Sequence, residues 1–159
     1  MLEVVPALRA FARTLTRDPT EADDLVQDTL VKALGHLDQF APGTNLRAWL
    51  FTIERNTFYT TYRRKRRETP LPVEEMATAV SHPKQEWTLK MKAANAALQQ
   101  LPEDQKEALV LVSGAGLSYE DAAAVCGCAI GTIKSRVSRA RLRMLSLLEV
   151  DSHEEFLKD

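Results

Sequence analysis

Apolar side chains in this chain recur every three or four positions, segment after segment, and no run alternates long enough to make a strand. A period near 3.6 belongs to an α-helix with one buried stripe, so the chain is restricted to helices packed on helices. Val4, Leu8, Phe11, Ala12 and Leu15 share the face of a first helix. Asp18, Pro19 and Glu21 then offer an N-cap, a proline at the first helical position and a capping-box glutamate. The second helix that follows has Val26, Leu30, Ala33, Leu34 and Leu37 available for a core. Loop 40–45 ends it. Leu46, Trp49, Leu50, Ile53 and Thr57 mark a third helix, which runs into the basic block 63–67.

From residue 68 to about 82 the periodicity fails, and Pro70, Pro72 and Pro83 punctuate a stretch with no apolar face. Such a segment reads as a linker. Beyond it Trp87, Met91, Ala94, Leu98 and Leu101 recur at helical spacing, and Pro102 opens a helix carrying Ala108, Leu109 and Val112. Ser118 caps a short helix through Val125, and a last helix runs from near Gly131 to about Leu148. The expected architecture is all-α: two small helical domains, 1–67 and 85–159, joined by a flexible linker, 68–84.

Composition removes several classes of function. No window reaches the roughly 18 uncharged apolar residues of a membrane helix, and the start lacks a signal-peptide pattern, so a cytoplasmic protein is expected. Cys126 and Cys128 are too few and too close for a disulfide framework, and His36, His82 and His153 stand apart. No metal or cofactor is expected. No glycine-rich phosphate loop and no nucleophile–base pair stands out, so an enzyme is not expected either.

The formal net charge of −1 hides a segregated pattern. Segment 131–144, GTIKSRVSRARLRM, holds five basic residues and no acidic one. It follows a capped short helix and a glycine-containing turn, the pattern of a helix-turn-helix. On a helical wheel Ile133, Val137, Ala140 and Met144 form the buried stripe, and Thr132, Lys134, Ser135, Ser138 and Arg139 face outward. Small hydroxyls let the backbone approach a major groove, and arginine can bond guanine through two donors. Arg136, Arg141 and Arg143 can reach phosphates. A solvated cationic face is the plainer alternative. Segment 47–67 interleaves Trp49, Phe51, Phe58, Tyr59 and Tyr62 with Arg47, Arg55, Arg63 and Arg64. Trp49 belongs to the core, whereas Phe58, Tyr59 and Tyr62 exceed what one stripe can bury. Exposed rings beside cations suit single-stranded nucleic acid, because bases stack while cations follow phosphates. The acidic set Asp23, Asp24 and Asp28 lies on one helix without matching acids elsewhere, which favours a protein-binding face.

A single-strand-binding half, a linker and a helix-turn-helix half together resemble a bacterial sigma factor. The segments ADDLVQDTLVKAL, 22–34, and LPEDQKEALVLVSGAGLSYEDAAAVCGCAIGTIKSRVSRAR, 101–141, resemble the extracytoplasmic function (ECF) type, which keeps the second and fourth conserved sigma regions. The segments 40–67 and 126–141 are most similar to the EcfG group, which directs the general stress response of alphaproteobacteria. The resemblance implies that Asp23, Asp24, Gln27 and Asp28 dock on the clamp coiled coil of core RNA polymerase (beta-prime subunit). It implies a pocket for a flipped −10 base at Phe40, Thr44, Asn45 and Leu46, with Asn56 as base reader. Arg55, Tyr59, Arg63 and Arg64 complete that DNA surface. Thr132, Lys134, Ser135, Arg136, Ser138 and Arg139 would contact the −35 element. An anti-sigma factor of the NepR type, removed by the response regulator PhyR, is the implied inhibitor. Several family members carry an Arg-Glu pair where this chain has Val112-Ser113, so no −35 contact is expected there. The alternative is a sigma mimic that titrates an anti-sigma factor, as the sigma-like domain of PhyR does. Compact inhibited and extended polymerase-bound forms are both expected.

Overall fold

The structure, a computed structural model, describes residues 2–16, 18–64 and 85–157, with side chains given within 3–149. The expected linker, 68–84, and Lys65, Arg66 and Arg67 lie outside the described residues. All regular structure among the described residues is helical. The first half comprises α1 (Val5–Thr16), α2 (Pro19–Gly35) and α3 (Leu46–Thr57), the last prolonged by a π-helical turn (Phe58–Tyr62). The second comprises α4 (Gln85–Gln99), α5 (Glu103–Leu109) with its own π-helical turn (Val110–Gly114), α6 (Tyr119–Cys126) and α7 (Ile130–Leu157).

The caps expected at Asp18 and Ser118 form, while the last helix runs on to Leu157, beyond the expected end near Leu148. The Asp18 side chain accepts a hydrogen bond from the Thr20 amide at 3.1 Å, with Pro19 in the first helical turn. Ser118 Oγ accepts from the Asp121 amide at 3.0 Å. Helix α6 ends at Gly127, whose φ of 68° is the left-handed conformation glycine adopts without a Cβ penalty. That residue turns the chain from α6 into α7.

The two halves are not held apart. Helix α1 packs against α5 and its π turn, and α3 packs against α6. Leu8, Phe11, Leu50, Phe51 and Phe58 of the first half and Ala108, Leu111, Leu117, Ala122 and Val125 of the second belong to one continuous buried cluster. Ile133, Val137 and Ala140 are buried as the wheel requires, while Met144 is half-buried. Leu34 and Leu37 depart from expectation: they are 59% and 45% exposed. Helix α2 is already covered on one side by α1 and α3, so its apolar residues exceed what that side can bury. Met91, assigned by spacing to the stripe of α4, is also exposed.

Candidate nucleic-acid interface

Asn45 begins the surface of the first half that the sequence reading assigns to DNA. Its Oδ1 caps α3 by accepting from the Arg47 amide at 2.9 Å, and its Nδ2 donates to Asp121 Oδ2 of the second half at 2.7 Å. Two residues on, Arg47 Nη1 donates to the Ala115 carbonyl at 2.7 Å. Gly116, at φ 75°, lets the chain turn directly after that carbonyl. Further along, Arg55 Nε donates to Glu107 Oε1 at 2.6 Å, and the Tyr59 hydroxyl donates to Glu107 Oε2. Glu107 is buried.

The electrostatics around Glu107 keep Arg55 and Tyr59 protonated. Burial alone would lower the Arg55 value, but the hydrogen bond and charge of Glu107 outweigh it and raise the net value. Burial, reinforced by the bond to Glu107, lifts the Tyr59 hydroxyl above its ordinary range. Arg55 and Arg63 lie over the Tyr59 ring at 4.7 and 5.2 Å from its centroid, within cation–π reach.

All three aromatics expected to be exposed are engaged: Tyr59 is half-buried and bonded to Glu107. Phe58 is buried, edge-on to Tyr59 with centroids 5.0 Å apart. The π-helical turn beginning at Phe58 carries an extra residue per turn, which re-aims the rings. Helix α1 packs on this turn and supplies an apolar wall that one amphipathic helix would lack. Tyr62 is half-buried and donates to Asp28 at 2.6 Å. Trp49, assigned to the core, is only half-buried and packs on Phe40 with centroids 5.2 Å apart.

Loop 40–45 is small and tightly turned: Thr44 Oγ1 donates to the Ala41 carbonyl at 2.6 Å, and Gly43 has φ 92°. Thr44 and Asn45 are exposed, and Phe40 and Leu46 half-buried. Asn56 is exposed and lines a groove of about 230 Å³ between α2 and α3, with Trp49 as one wall. Sequence reasoning missed Lys32 and His36, which line the same groove. Lys32 Nζ donates to Thr57 Oγ1 at 3.2 Å, and the Lys32 carbonyl accepts from His36 Nδ1 at 2.8 Å. Arg64 is exposed nearby in sequence, beyond the π turn.

On α2, Asp23, Asp24, Gln27 and Asp28 are exposed along one face. Asp23 lies 3.5 Å from Arg9 Nε and Asp28 accepts from Tyr62, so two of the carboxylates are oriented from the side. Val31 (68% exposed) and Leu34 continue the same i, i+3, i+4, i+7 stripe. These two apolar residues were missed as surface residues. The available signal was their spacing from Asp24 and Gln27 rather than from Val26.

On α7, Lys134, Ser135, Ser138 and Arg139 are exposed, and Thr132 is half-buried at the first turn. Lys134 Nζ lies 5.8 Å from the Tyr119 ring centroid. Arg136 points inward: Nε is 3.6 Å from Asp104 and Nη1 3.8 Å from Cys128 Sγ. Arg141 Nη2 donates at 3.1 Å to Ser113 Oγ, the position where an Arg-Glu pair was not found. A groove of about 570 Å³ runs between α5 and α7, bordered by Arg139, Leu142, Arg143 and Leu147. Among the described residues no group of side chains could hold a metal ion, and no helix is long and apolar enough to cross a membrane.

The family model of sigma-70 region 2 matches residues 1–68, and that of sigma-70 region 4 matches residues 91–144. The ECF RNA polymerase sigma factor EcfG of Rhodopseudomonas palustris is 54% identical over 160 residues, covering 100% of this chain and 88% of the relative. The solved structure of the sigma factor RpoE with the anti-sigma factor NepR from Bartonella quintana superposes with a TM-score of 0.79 at 52% identity, covering 94% of each chain. That of CnrH with the cytosolic domain of CnrY gives 0.70 at 31% identity, covering 95% of this chain and 86% of the other. Two region matches in order, within a full-length likeness to a sigma factor, make this chain a member of the sigma-70 family, a non-enzymatic RNA polymerase sigma factor of the ECF type that acts in transcription initiation.

Proposed function

We propose that the chain is a cytoplasmic promoter-specificity subunit for a general stress response, with domains 1–67 and 85–159 reading the −10 and −35 elements. The −10 surface comprises Phe40, Thr44, Asn45, Leu46, Arg55, Asn56, Tyr59, Arg63 and Arg64. The −35 surface comprises Thr132, Lys134, Ser135, Ser138 and Arg139, with Arg136 turning out from Asp104 when duplex is bound. The α2 face of Asp23, Asp24, Gln27 and Asp28 docks on core polymerase. The observation that carries the reading is the exposed face of Lys134, Ser135, Ser138 and Arg139 on α7, behind a capped helix and a left-handed glycine turn. Small residues there permit close approach to a major groove, and Arg139 can read a guanine edge.

An inhibitor similar to NepR is proposed as the regulatory partner. The 54% likeness to EcfG and the complex of RpoE with NepR support it. The apolar-and-basic groove between α5 and α7 suits an amphipathic acidic helix. The sigma-mimic alternative needs no DNA-reading side chains, so the exposed Asn56 and Arg139 weigh against it.

The test is transcription in vitro by purified core polymerase on alphaproteobacterial genomic fragments. The expected result is a set of transcripts that require this protein and are lost with Asn56→Ala or Arg139→Ala. Core binding unaffected by these changes, together with unchanged transcription, would remove the residue assignment. Capture of an anti-sigma factor with neither core binding nor transcripts would leave the mimic.

A further inference from the structure

Cys126 and Cys128, the only two thiols of the chain, flank the glycine that turns α6 into α7. Both are half-buried, neither sealed in the core nor fully solvated. The Gly127 amide donates to the Ala124 carbonyl at 3.4 Å and the Cys128 amide to the Ala123 carbonyl at 3.1 Å, which closes α6. Arg136 reaches back from α7 to this turn: Nη1 donates to Cys128 Sγ at 3.8 Å, while Nε lies 3.6 Å from Asp104. We propose that Cys126 and Cys128 are a modification site, a dithiol that a hydroperoxide converts to a disulfide across Gly127, turning α7 away from −35 duplex. The proposal rests on the −35 reading above and adds a chemical input to it.

Backbone geometry puts the two residues within bonding range. Gly127, at φ 68° and ψ 40°, has close to the mirror image of helical dihedrals. A helical residue sets the Cα atoms on either side of it about 5.4 Å apart, from the rise and radius of the helix, and its mirror image sets the same distance. Disulfides span Cα separations of roughly 4.4–6.8 Å. The surroundings of the two thiols assign their roles. Burial first, then the Glu107 carboxylate and the neighbouring Cys128, push the Cys126 thiol up to about 11. Cys128 instead has the Arg136 guanidinium at its sulfur, and reactive cysteines are those with a cation beside them.

Cys128 Sγ is therefore the atom that attacks the peroxide. Its S–H proton leaves, an S–O bond forms, the O–O bond breaks, and the other peroxide oxygen departs as water. Sulfur loses two electrons to become a sulfenic acid, and the peroxide gains them. The Cys126 sulfur then attacks Cys128 Sγ. An S–S bond forms, the S–O bond breaks, and the hydroxyl leaves with the Cys126 proton as a second water. Joining the sulfurs draws Cys128 off Arg136 and both side chains off the cluster they border. Those contacts anchor the start of α7, so Lys134, Ser135, Ser138 and Arg139 lose their register with a major groove.

The experiment treats the full chain with hydrogen peroxide, removes the oxidant and assembles holoenzyme with purified core. Expected is a monomer lighter by two hydrogen atoms, with both cysteines closed to alkylation. Its holoenzyme should bind a promoter duplex it otherwise transcribes about tenfold or more weakly, and dithiothreitol should reverse all three changes. Cys126→Ala should stop at a Cys128 sulfenic acid that dimedone traps, whereas Cys128→Ala should take no dimedone and keep its duplex affinity after peroxide. A disulfide-linked dimer, no thiol loss at doses that oxidise free cysteine, or a closed disulfide with unchanged duplex affinity would each overturn the proposal. These readouts on the wild type need no variant, so a misfolded alanine variant does not blunt them. Arg139→Ala in the reduced protein tests the −35 reading separately: wild-type duplex affinity there removes that reading, while the mass result still decides the thiol chemistry.

Discussion

At the scale of single residues, Glu54 has the environment least suited to its chemistry. It is fully buried on α3, neither carboxyl oxygen has a hydrogen-bond partner, and burial raises its pKa well above the ordinary carboxylate range. A raised folded-state pKa means stability is intact below the unfolded value of about 4.3. It is lost as pH rises from there toward the folded value, because the unfolded chain ionises first. Replacing Glu54 by Leu is therefore expected to stabilise the protein at neutral pH by about 1–3 kcal/mol. The gain should shrink toward pH 4, a trend that urea titrations across the range would reveal. Cys126 obeys the same logic at higher pH: burial, helped by the charge of Glu107, pushes its thiol up to about 11. Its alkylation should be much slower than that of a free thiol at pH 8, accelerating as pH approaches that value. Kinetics with a mass readout for each cysteine would check this.

At the scale of elements, caps and turns decide where α6 and α7 begin. Ser118→Ala removes the acceptor for the Asp121 amide and should cost about 1 kcal/mol. Gly127→Ala meets no neighbouring atom within 4 Å, so its whole cost is the left-handed φ, about 1–2 kcal/mol. Thermal melts of the two variants read these costs, and only the second, by tilting α7, is expected also to weaken binding to −35 duplex in the proposed reading. Helix α2 is read the other way. Val31 and Leu34 are apolar yet exposed beside Asp24 and Gln27, a face that costs nothing to alter in the fold. Leu34→Asp is expected to leave the melting temperature within a few degrees. It should also weaken core polymerase binding by at least about tenfold, as a buried contact of 1.4 kcal/mol or more would. A pull-down with purified core measures it.

At the scale of the whole molecule, one buried cluster runs through both halves, so they should unfold together. Calorimetry is expected to give a single transition with equal calorimetric and van't Hoff enthalpies. Phe58→Ala, truncating a buried ring of the shared cluster, should lower stability by about 3–5 kcal/mol across that one transition. Two separated transitions would show that the shared core contributes little. Much of this was legible in the chain itself. The 3.6 period, the Asp18 and Ser118 caps and Gly127 specify helices and their ends, because these depend on residues within a turn of one another. The outward hydroxyls and cations of α7 follow from the same periodicity. What periodicity cannot say is which of two apolar faces finds a partner. Leu34 and Phe58 are alike on a wheel, yet the first is bare and the second buried, because α1, distant in sequence, packs on the turn that holds Phe58. Glu107 is an ordinary helix-surface carboxylate in sequence. Only the packing of α1 and α3 on the second half turns it inward to Arg55 and Tyr59, since that pairing is set by tertiary geometry and carries no local signature.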